Sequence, residues 1–303
     1  MKICVAVPHA LEIRAMSQPW EKDLDGAAVI EAMVLADSLG YYKCLMGEHF
    51  VIPRSHIEAS GDFWHQGTVA LSAIAGATKT IGLQSSITIL PLQHPVVHAK
   101  AWGTLDWISG GRATPVFAVG WLKEEFDMMN VPFHKRGKLA DEYMAAIHSL
   151  WHDDVASFSG EFVNFSDAAF APKPNNMPVW FGGDAAPALG RIAKWGDGWI
   201  PFLTPPEKFP EALDFIRSHK DYRGQKLDMF FAIEQMRLGE NHQEKEGAID
   251  IDPWNVQQIV DLCGQLTELG VTETIVPLPE LEGFEAYKDR LRWVAEEIMP
   301  LVA

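Results

Sequence analysis

Cysteine is scarce: three residues in 303, at positions 4, 44 and 263, with no CxxC pair and no metal-ligand clustering. Such isolated thiols fit buried side chains in a reducing compartment and exclude a disulfide-stapled scaffold. Basic residues are also few, 25 Lys and Arg against 41 Asp and Glu, a net charge of −16. A surface of that sign repels phosphate backbones and anionic lipid, which argues against nucleic acid or membrane partners. No apolar run approaches the roughly 20 residues that cross a bilayer. The opening MKICVAVPHA gives way to charged sequence too early for a secretory signal. A cytoplasmic protein is therefore expected. Several motifs are missing as well: no GxGxxG follows the first strand pattern, and there is no Walker loop, HExxH or GxSxG. A metal centre and a serine hydrolase are not expected.

Apolar residues are plentiful. They make up 48% of the chain, with 16 Phe and 11 Trp, enough for a large core and too many for disorder. Short β-branched runs at 2–7, 42–46, 80–90, 114–119, 178–181, 198–200, 227–234 and 272–276 alternate with helical patterns. One such pattern spaces Val256, Ile259, Val260, Cys263 and Leu266. A last helix spaces Tyr287, Leu291, Val294 and Ile298. Eight strand–helix units predict an α/β fold, a (β/α)8 TIM barrel forming one domain over 1–303. An insertion at 152–177, between strands four and five, reads as a hairpin about Ser159-Gly160. The polar stretch 237–253 reads as either a mobile lid or a solvated loop.

Barrel chemistry sits on loops that follow the strands, which shortens the roster of candidates. His9 follows strand one, Glu48 and His49 strand two, His94 strand three, Gly120, Trp121 and Glu125 strand four, and Gly182, Gly183 and Asp184 strand five. His49 suits proton transfer near neutrality, and Glu48 beside it is the type of group that tunes such a neighbour. Adjacent strand residues point to opposite faces, however, so the two need not touch. Glu125 is a further catalytic candidate among the acidic groups of the mouth. For His49 the alternative is a histidine that bonds loop backbone. His94 divides evenly between a site and a structural role, whereas His56, His134, His148, His152 and His219 read as surface or structural. Gly182-Gly183 before a helix allows backbone donors to approach an anion, or simply makes a tight turn. Phe50, Trp121, Trp180 and Trp199 offer an apolar slot for a planar ring, unless they belong to the core.

Four stretches, GEHFVIP (47–53), LPLQHPVVHAKAWGTLDWISGGR (90–112), VGWLKEEFDMMNVPFHKRGKLADEYM (119–144) and APKPNNMPVWFGGDAAPALGRIAKWGDGWIPF (171–202), resemble the bacterial luciferase-like superfamily. They are nearest the subgroup labelled F420-dependent oxidoreductases. The resemblance implies FMN or the deazaflavin coenzyme F420 at the barrel mouth and a small to medium organic substrate. Chemistry would be hydride transfer, favoured over insertion of one oxygen atom. It further implies a homodimer, a separate flavin reductase if FMN is used, and a cis Ser86–Ile87 peptide at the end of strand three, with Ser85 beside it. By the same resemblance His49 is an active-site histidine, Arg136 a basic position that either assists an anion or simply pairs across the helix, and Gly182-Gly183-Asp184 the phosphate segment. There Asp184 replaces a small hydroxyl residue, and either caps the helix while backbone donors meet the anion or signals a phosphate held elsewhere. A nonenzymatic flavin-binding or structural subunit of the same fold is the competing expectation.

Overall fold

The computed structural model describes residues 1–10, 12, 16–237 and 250–303. Most of the 237–253 stretch, and with it the expectation of a mobile loop, lies outside the described residues.

The strands, in chain order, are β1 (Lys2–Ile3), β2 (Val5–Ala6), β3 (Lys43–Met46), β4 (Gly82–Ser85), β5 (Thr88–Ile89), β6 (Ala113–Thr114), β7 (Val116–Ala118), β8 (Ala156–Ser159), β9 (Asn164–Ala168), β10 (Trp180–Gly182), β11 (Gly198–Ile200), β12 (Asp228–Met229) and β13 (Glu273–Thr274). The helices are α1 (Gly26–Leu39), α2 (Ile57–Ser60), α3 (Gly67–Ala77), α4 (Pro95–Ser109), α5 (Lys123–Met128), α6 (Arg136–His152), α7 (Ala186–Trp195), α8 (Phe209–Ser218), α9 (Val256–Glu268), α10 (Phe284–Trp293) and α11 (Met299–Val302). Parallel pairs run β1 with β13, β2 with β3, β3 with β4, β4 with β6, β5 with β7, β7 with β10, β10 with β11 and β11 with β12. A parallel bridge from Phe230 to Glu273 links the run after β12 to β13. The result is an α/β fold of parallel strands alternating with helices.

The strands are shorter than their sequence patterns. The run expected over 80–90 breaks into β4 and β5 at Ser86–Ile87, a cis peptide bond between non-proline residues at the expected position. The run over 227–234 keeps only β12 before a 3-10 helix at Ile233–Arg237. Between α6 and β10, β8 and β9 pair antiparallel, and Glu142 of α6 accepts the amides of Glu161, Phe162 and Val163 at the hairpin tip.

Alternation along each strand sorts the side chains. Cys4, Leu45, Val116, Trp180, Ile200 and Phe230 pack with one another inside the sheet. Their neighbours Cys44, Met46, Phe117, Phe181, Trp199 and Met229 pack outward with the helices. Trp180 therefore lies inside, and its register partner is Gly198. A Cβ at Gly198 would sit 2.2 Å from the indole, so only glycine lets that ring in. Near the strand starts, Lys43 donates to Glu273 at 2.9 Å and to Gln84 at 3.0 Å, and covers the Trp180 ring. This buried ion pair fills the end of the sheet remote from the strand exits, where the candidate site lies.

Candidate functional site at the strand exits

His49 leaves β3 and turns toward α5. Its Nδ1 stands 2.7 Å from Glu125 Oε2, and the Glu125 side chain has no solvent exposure. The other Glu125 oxygen accepts the amides of Phe50 at 2.7 Å and Val51 at 3.4 Å. The carboxylate thus grips both the imidazole and the backbone that carries it. A carboxylate acceptor at Nδ1 fixes that nitrogen as the protonated one and leaves Nε2 for exchange. Trp64 meets the His49 ring edge-on, with centroids 4.6 Å apart, and Trp121 does so at 6.4 Å. Trp121 remains 50% exposed.

Glu48 turns the opposite way from His49, as neighbouring residues on an extended chain do. Its Oε2 accepts the Gly67 amide at 2.8 Å and the Gln66 side-chain amide at 3.3 Å, at the N-terminus of α3. Oε1 is buried and makes no hydrogen bond. Burial pushes the Glu48 carboxyl up to about 7; the Gly67 and Ile89 amides pull it down in part, and the Glu125 charge pushes it further up. The expectation that Glu48 serves as the partner beside His49 is corrected: that place belongs to Glu125.

The other candidates divide. The Ser85 hydroxyl is spent on β7, accepting the Val116 amide at 2.8 Å and donating to its carbonyl at 3.3 Å, so Ser85 joins strands rather than facing a ligand. Ile87, half-buried, lies against Gly182, where a Cβ would stand 3.2 Å from Ile87 Cγ2. Gly120 holds φ 78° in the turn toward Trp121. Arg136 opens α6, covers the Phe133 ring at 3.9 Å and donates from Nη1 to the Phe133 carbonyl, while its Nε is buried without a partner.

Gly183 holds φ 117°, a conformation that favours glycine. Its N–H is already committed to the Ile200 carbonyl at 3.1 Å, so backbone donors for an anion begin at Asp184. The Asp184 carboxylate does not cap α7. It collects the amides of Phe202, Leu203 and Thr204 and the Thr204 hydroxyl at 2.6–3.2 Å, which spends the charge that would oppose a phosphate. Trp199 is corrected from ring contact to support: it is fully buried in the helix layer, edge-on to Phe209, and its Nε1 donates to the Gly183 carbonyl at 2.8 Å. Trp180, inside the sheet, is likewise no wall of the mouth. Arg191 is paired with Asp141 at 2.7 Å beside a cavity of about 10 Å³, room for one water and not a phosphate. His94 caps α4, accepting the Val96 amide.

Sequence reasoning missed Trp64, and it left His56 among the surface histidines although its ring lies 5.9 Å from Trp121. It missed Phe63 too, which stacks on His9 at 4.0 Å. The aromatic run Phe63-Trp64-His65 in the loop before α3 was the available signal. Among the described residues no group of three metal-ligating side chains converges, and no helix is long and apolar enough to cross a membrane.

The α/β fold thus carries at its strand exits a half-buried histidine bonded to a fully buried glutamate, beside the exposed Trp121. The chain belongs to the luciferase-like monooxygenase family, whose profile matches residues 1–237. An uncharacterized protein of Mycobacterium tuberculosis is 30% identical over 289 residues, 88% of this chain and 93% of the relative. An FMNH2-dependent dimethylsulfone monooxygenase of Pseudomonas putida is 29% identical, over 67% of this chain and 61% of its own. Among solved structures, a monooxygenase from Streptomyces bottropensis superposes with TM-score 0.76 at 19% identity, covering 100% of both chains. A coenzyme F420-dependent tetrahydromethanopterin reductase from Methanopyrus kandleri gives 0.72 at 16%, covering 100% of this chain and 99% of that one.

Proposed function

We propose that the chain is a flavin- or deazaflavin-dependent oxidoreductase that binds its cofactor at the mouth of a closed (β/α)8 barrel, one domain over 1–303. In this reading His49, held by Glu125, moves the proton that accompanies hydride transfer. The observation that carries it is the 2.7 Å bond between His49 and a fully buried Glu125.

The residues at the mouth fit a planar ring with an anionic tail. Gly182 leaves the space beside Ile87 open, Trp121 presents an exposed face, and Arg136 keeps a buried N–H without a partner. When bound, a deazaflavin supplies a hydride carrier and a reduced flavin supplies an electron pair that oxygen can also take. Ile87, Gly182 and Trp121 would hold the ring and exclude water, and the amides from Asp184 onward with Arg136 would hold the phosphate. His49 Nε2 accepts the hydroxyl proton of an alcohol as the carbinol hydride leaves, and returns it to the oxygen when a carbonyl is reduced. Glu125 stabilises the imidazolium formed meanwhile. Trp64 and Trp121 flank the imidazole, which suits a small to medium substrate with an apolar body.

Oxygen insertion with reduced FMN, supplied by a separate flavin reductase, is the second reading. It is favoured by the FMNH2-dependent relative at 29% identity. Titration with FMN and with coenzyme F420, followed by turnover under oxygen and under argon, separates the two. Turnover under argon with F420, lost in His49→Ala while cofactor affinity stays, is the expected result. Turnover only under oxygen with reduced FMN establishes the second reading, and tight binding without turnover under either gas marks a nonenzymatic binding protein. We infer a homodimer from the exposed Val69 of α3 and Val97, Trp107 and Ile108 of α4, an apolar face on adjacent helices. Sedimentation of the Trp107→Lys variant as a monomer checks it.

A further inference from the structure

The inner face of the sheet is filled along most of its strands and opens on one flank toward their ends. Ala6 is in register with Leu45 of the inner cluster, so it faces the same way, and Ala232 and Ile275 pack on that cluster. Ala6 is exposed, and Ala232 and Ile275 are half-buried. Their outward neighbours Val5, Val7, Ile233, Thr274 and Val276 are all buried. Side chains alternate along a strand, so the free space lies on the inner face and not among the helices. The three runs lie side by side: the Cys4 amide donates to the Thr274 carbonyl at 2.7 Å and the Ile233 amide to the Ile275 carbonyl at 3.2 Å. Two residues nearer the strand starts, Cys4 and Phe230 are buried again and close the opening from below. We propose that this opening receives the body of the substrate, that the substrate is an uncharged aliphatic carbonyl compound or the corresponding alcohol, and that Ala6 determines the size of group accepted.

Position and chemistry support the assignment. The groups given to the cofactor, Ile87, Gly182 and Trp121, stand at the exits of β4, β10 and β7, away from this flank. His49 leaves β3, which lies between β2 and β4 in the sheet, so the imidazole stands between the opening and the ring. The opening is lined by two alanines and an isoleucine, which offer contact to an apolar body and no side-chain partner to a charge. Burying an unpaired charge there costs more than apolar contact returns. Lys43 and Glu273, a charged pair on the same face, are spent on each other near the strand starts. The Ala6 carbonyl accepts the Tyr287 hydroxyl at 3.3 Å, which anchors the strand, so a larger side chain at position 6 fills the opening instead of shifting the backbone. The inference rests on the reading of His49 as the proton-transfer group for the reacting end of the substrate, and on the opening alone for its body.

Saturation-transfer NMR with the oxidised cofactor bound measures the affinity of ketones, which cannot react in that state. In the unaltered protein, affinity should rise about fourfold per methylene from 2-butanone to 2-hexanone. The anionic 5-oxohexanoate should bind about tenfold or more weakly than 2-hexanone. Ala6→Leu should weaken cyclohexanone by about tenfold or more relative to 2-butanone, with cofactor affinity kept. Ala232→Leu fills the same opening from the neighbouring run and should give the same change where Ala6→Leu does not fold. No binding of any ketone, or equal binding of 5-oxohexanoate and 2-hexanone to the unaltered protein, overturns the proposal whether or not a variant folds. An unchanged ratio of cyclohexanone to 2-butanone in an Ala6→Leu protein that holds the cofactor as the parent does overturns the role of Ala6. Ketone binding in the expected pattern by a protein that turns over with neither F420 nor reduced FMN would instead defeat the reading of the reaction and leave the opening in place.

Discussion

Replacing Glu125 by Gln changes one atom and one charge in a side chain with no solvent exposure. The amide oxygen can keep the Phe50 and Val51 amides, which leaves the –NH2 facing His49 Nδ1 where a carboxylate oxygen stood at 2.7 Å. Two donors cannot share that contact, so Nδ1 must become the acceptor and the ring proton moves to Nε2. The imidazole then presents the wrong tautomer and loses the anion that stabilises its charged form. Loss of a charge-assisted bond alone is worth about 1.5–3 kcal/mol, or roughly 10- to 150-fold in rate. A reversed tautomer in a comparable His–carboxylate pair deepens such losses to about 10⁴-fold. We expect kcat to fall by about 10²–10⁴ while the hold on the cofactor's phosphate tail changes little, because the ring contacts of His49 are with Trp64 and Trp121 and the tail is assigned to the Gly182–Asp184 segment. Steady-state kinetics beside a fluorescence titration of the cofactor provides the measurement. A kcat within threefold of the parent, or a loss confined to cofactor affinity, would refute the assignment of Glu125 as the partner that fixes His49.

Gly183→Val places a side chain at φ 117° with its Cβ 3.3 Å from Ala188, so it should cost about 1–3 kcal/mol and weaken the phosphorylated cofactor far more than its riboflavin-like core; equal loss for both in parallel titrations would rule out a phosphate site there. Asp184→Ala frees three loop amides and a hydroxyl at 202–204, and should weaken cofactor binding despite removing a negative charge; tighter binding by calorimetry would show that the charge, not the loop, matters. Stability should also depend on pH in a diagnostic way. Glu48 moves up from 4.5 to about 7 on folding, so its contribution is present at low pH and lost as pH rises from 4.5 to 7, about 3 kcal/mol in all. Glu48→Gln should therefore gain that amount relative to the parent between these pH values in urea denaturation, and a pH-independent difference would count against the shift. Buried His98 moves down to about 4 and runs the other way, its contribution lost as pH falls through 6.5, which masks the Glu48 effect in the parent.

Much of the fold was legible because strand period and helix period leave separate marks. The run at 42–46 emerges as β3, buried on both faces, since helices cover one side and the sheet interior fills the other. Val256, Ile259, Cys263 and Leu266 fall together on one face of α9, three and four residues apart. Strand lengths were less legible. Cys4 interrupts a ladder inside a continuous apolar run, where the strand changes neighbour from β13 to β3 and no side chain announces it, whereas Pro115, with no N–H to give, marks the break between β6 and β7.

The site was legible in its residues and not in its directions. Glu48 and His49 stand on the loop leaving β3 and Glu125 on the short α5 after β7, all at strand exits, so position alone cannot say which carboxylate meets the imidazole. The answer comes from one-residue parity: Glu48 and His49 point apart, and the partner must arrive from α5, 76 residues away. The same parity inverts the tryptophans, sending Trp180 inside the sheet and Trp199 into the helix layer, where it supports Gly183 from behind. Parity is hard to read when both faces of a strand are apolar, as they are here, because hydrophobic pattern then carries no inside or outside label. Gly198 is the exception: a residue with no side chain opposite Trp180 marks the face on which that indole must lie. Small residues in register with large ones carry the directional information that hydrophobicity lacks, and in such sheets they mark which face of a strand turns inward.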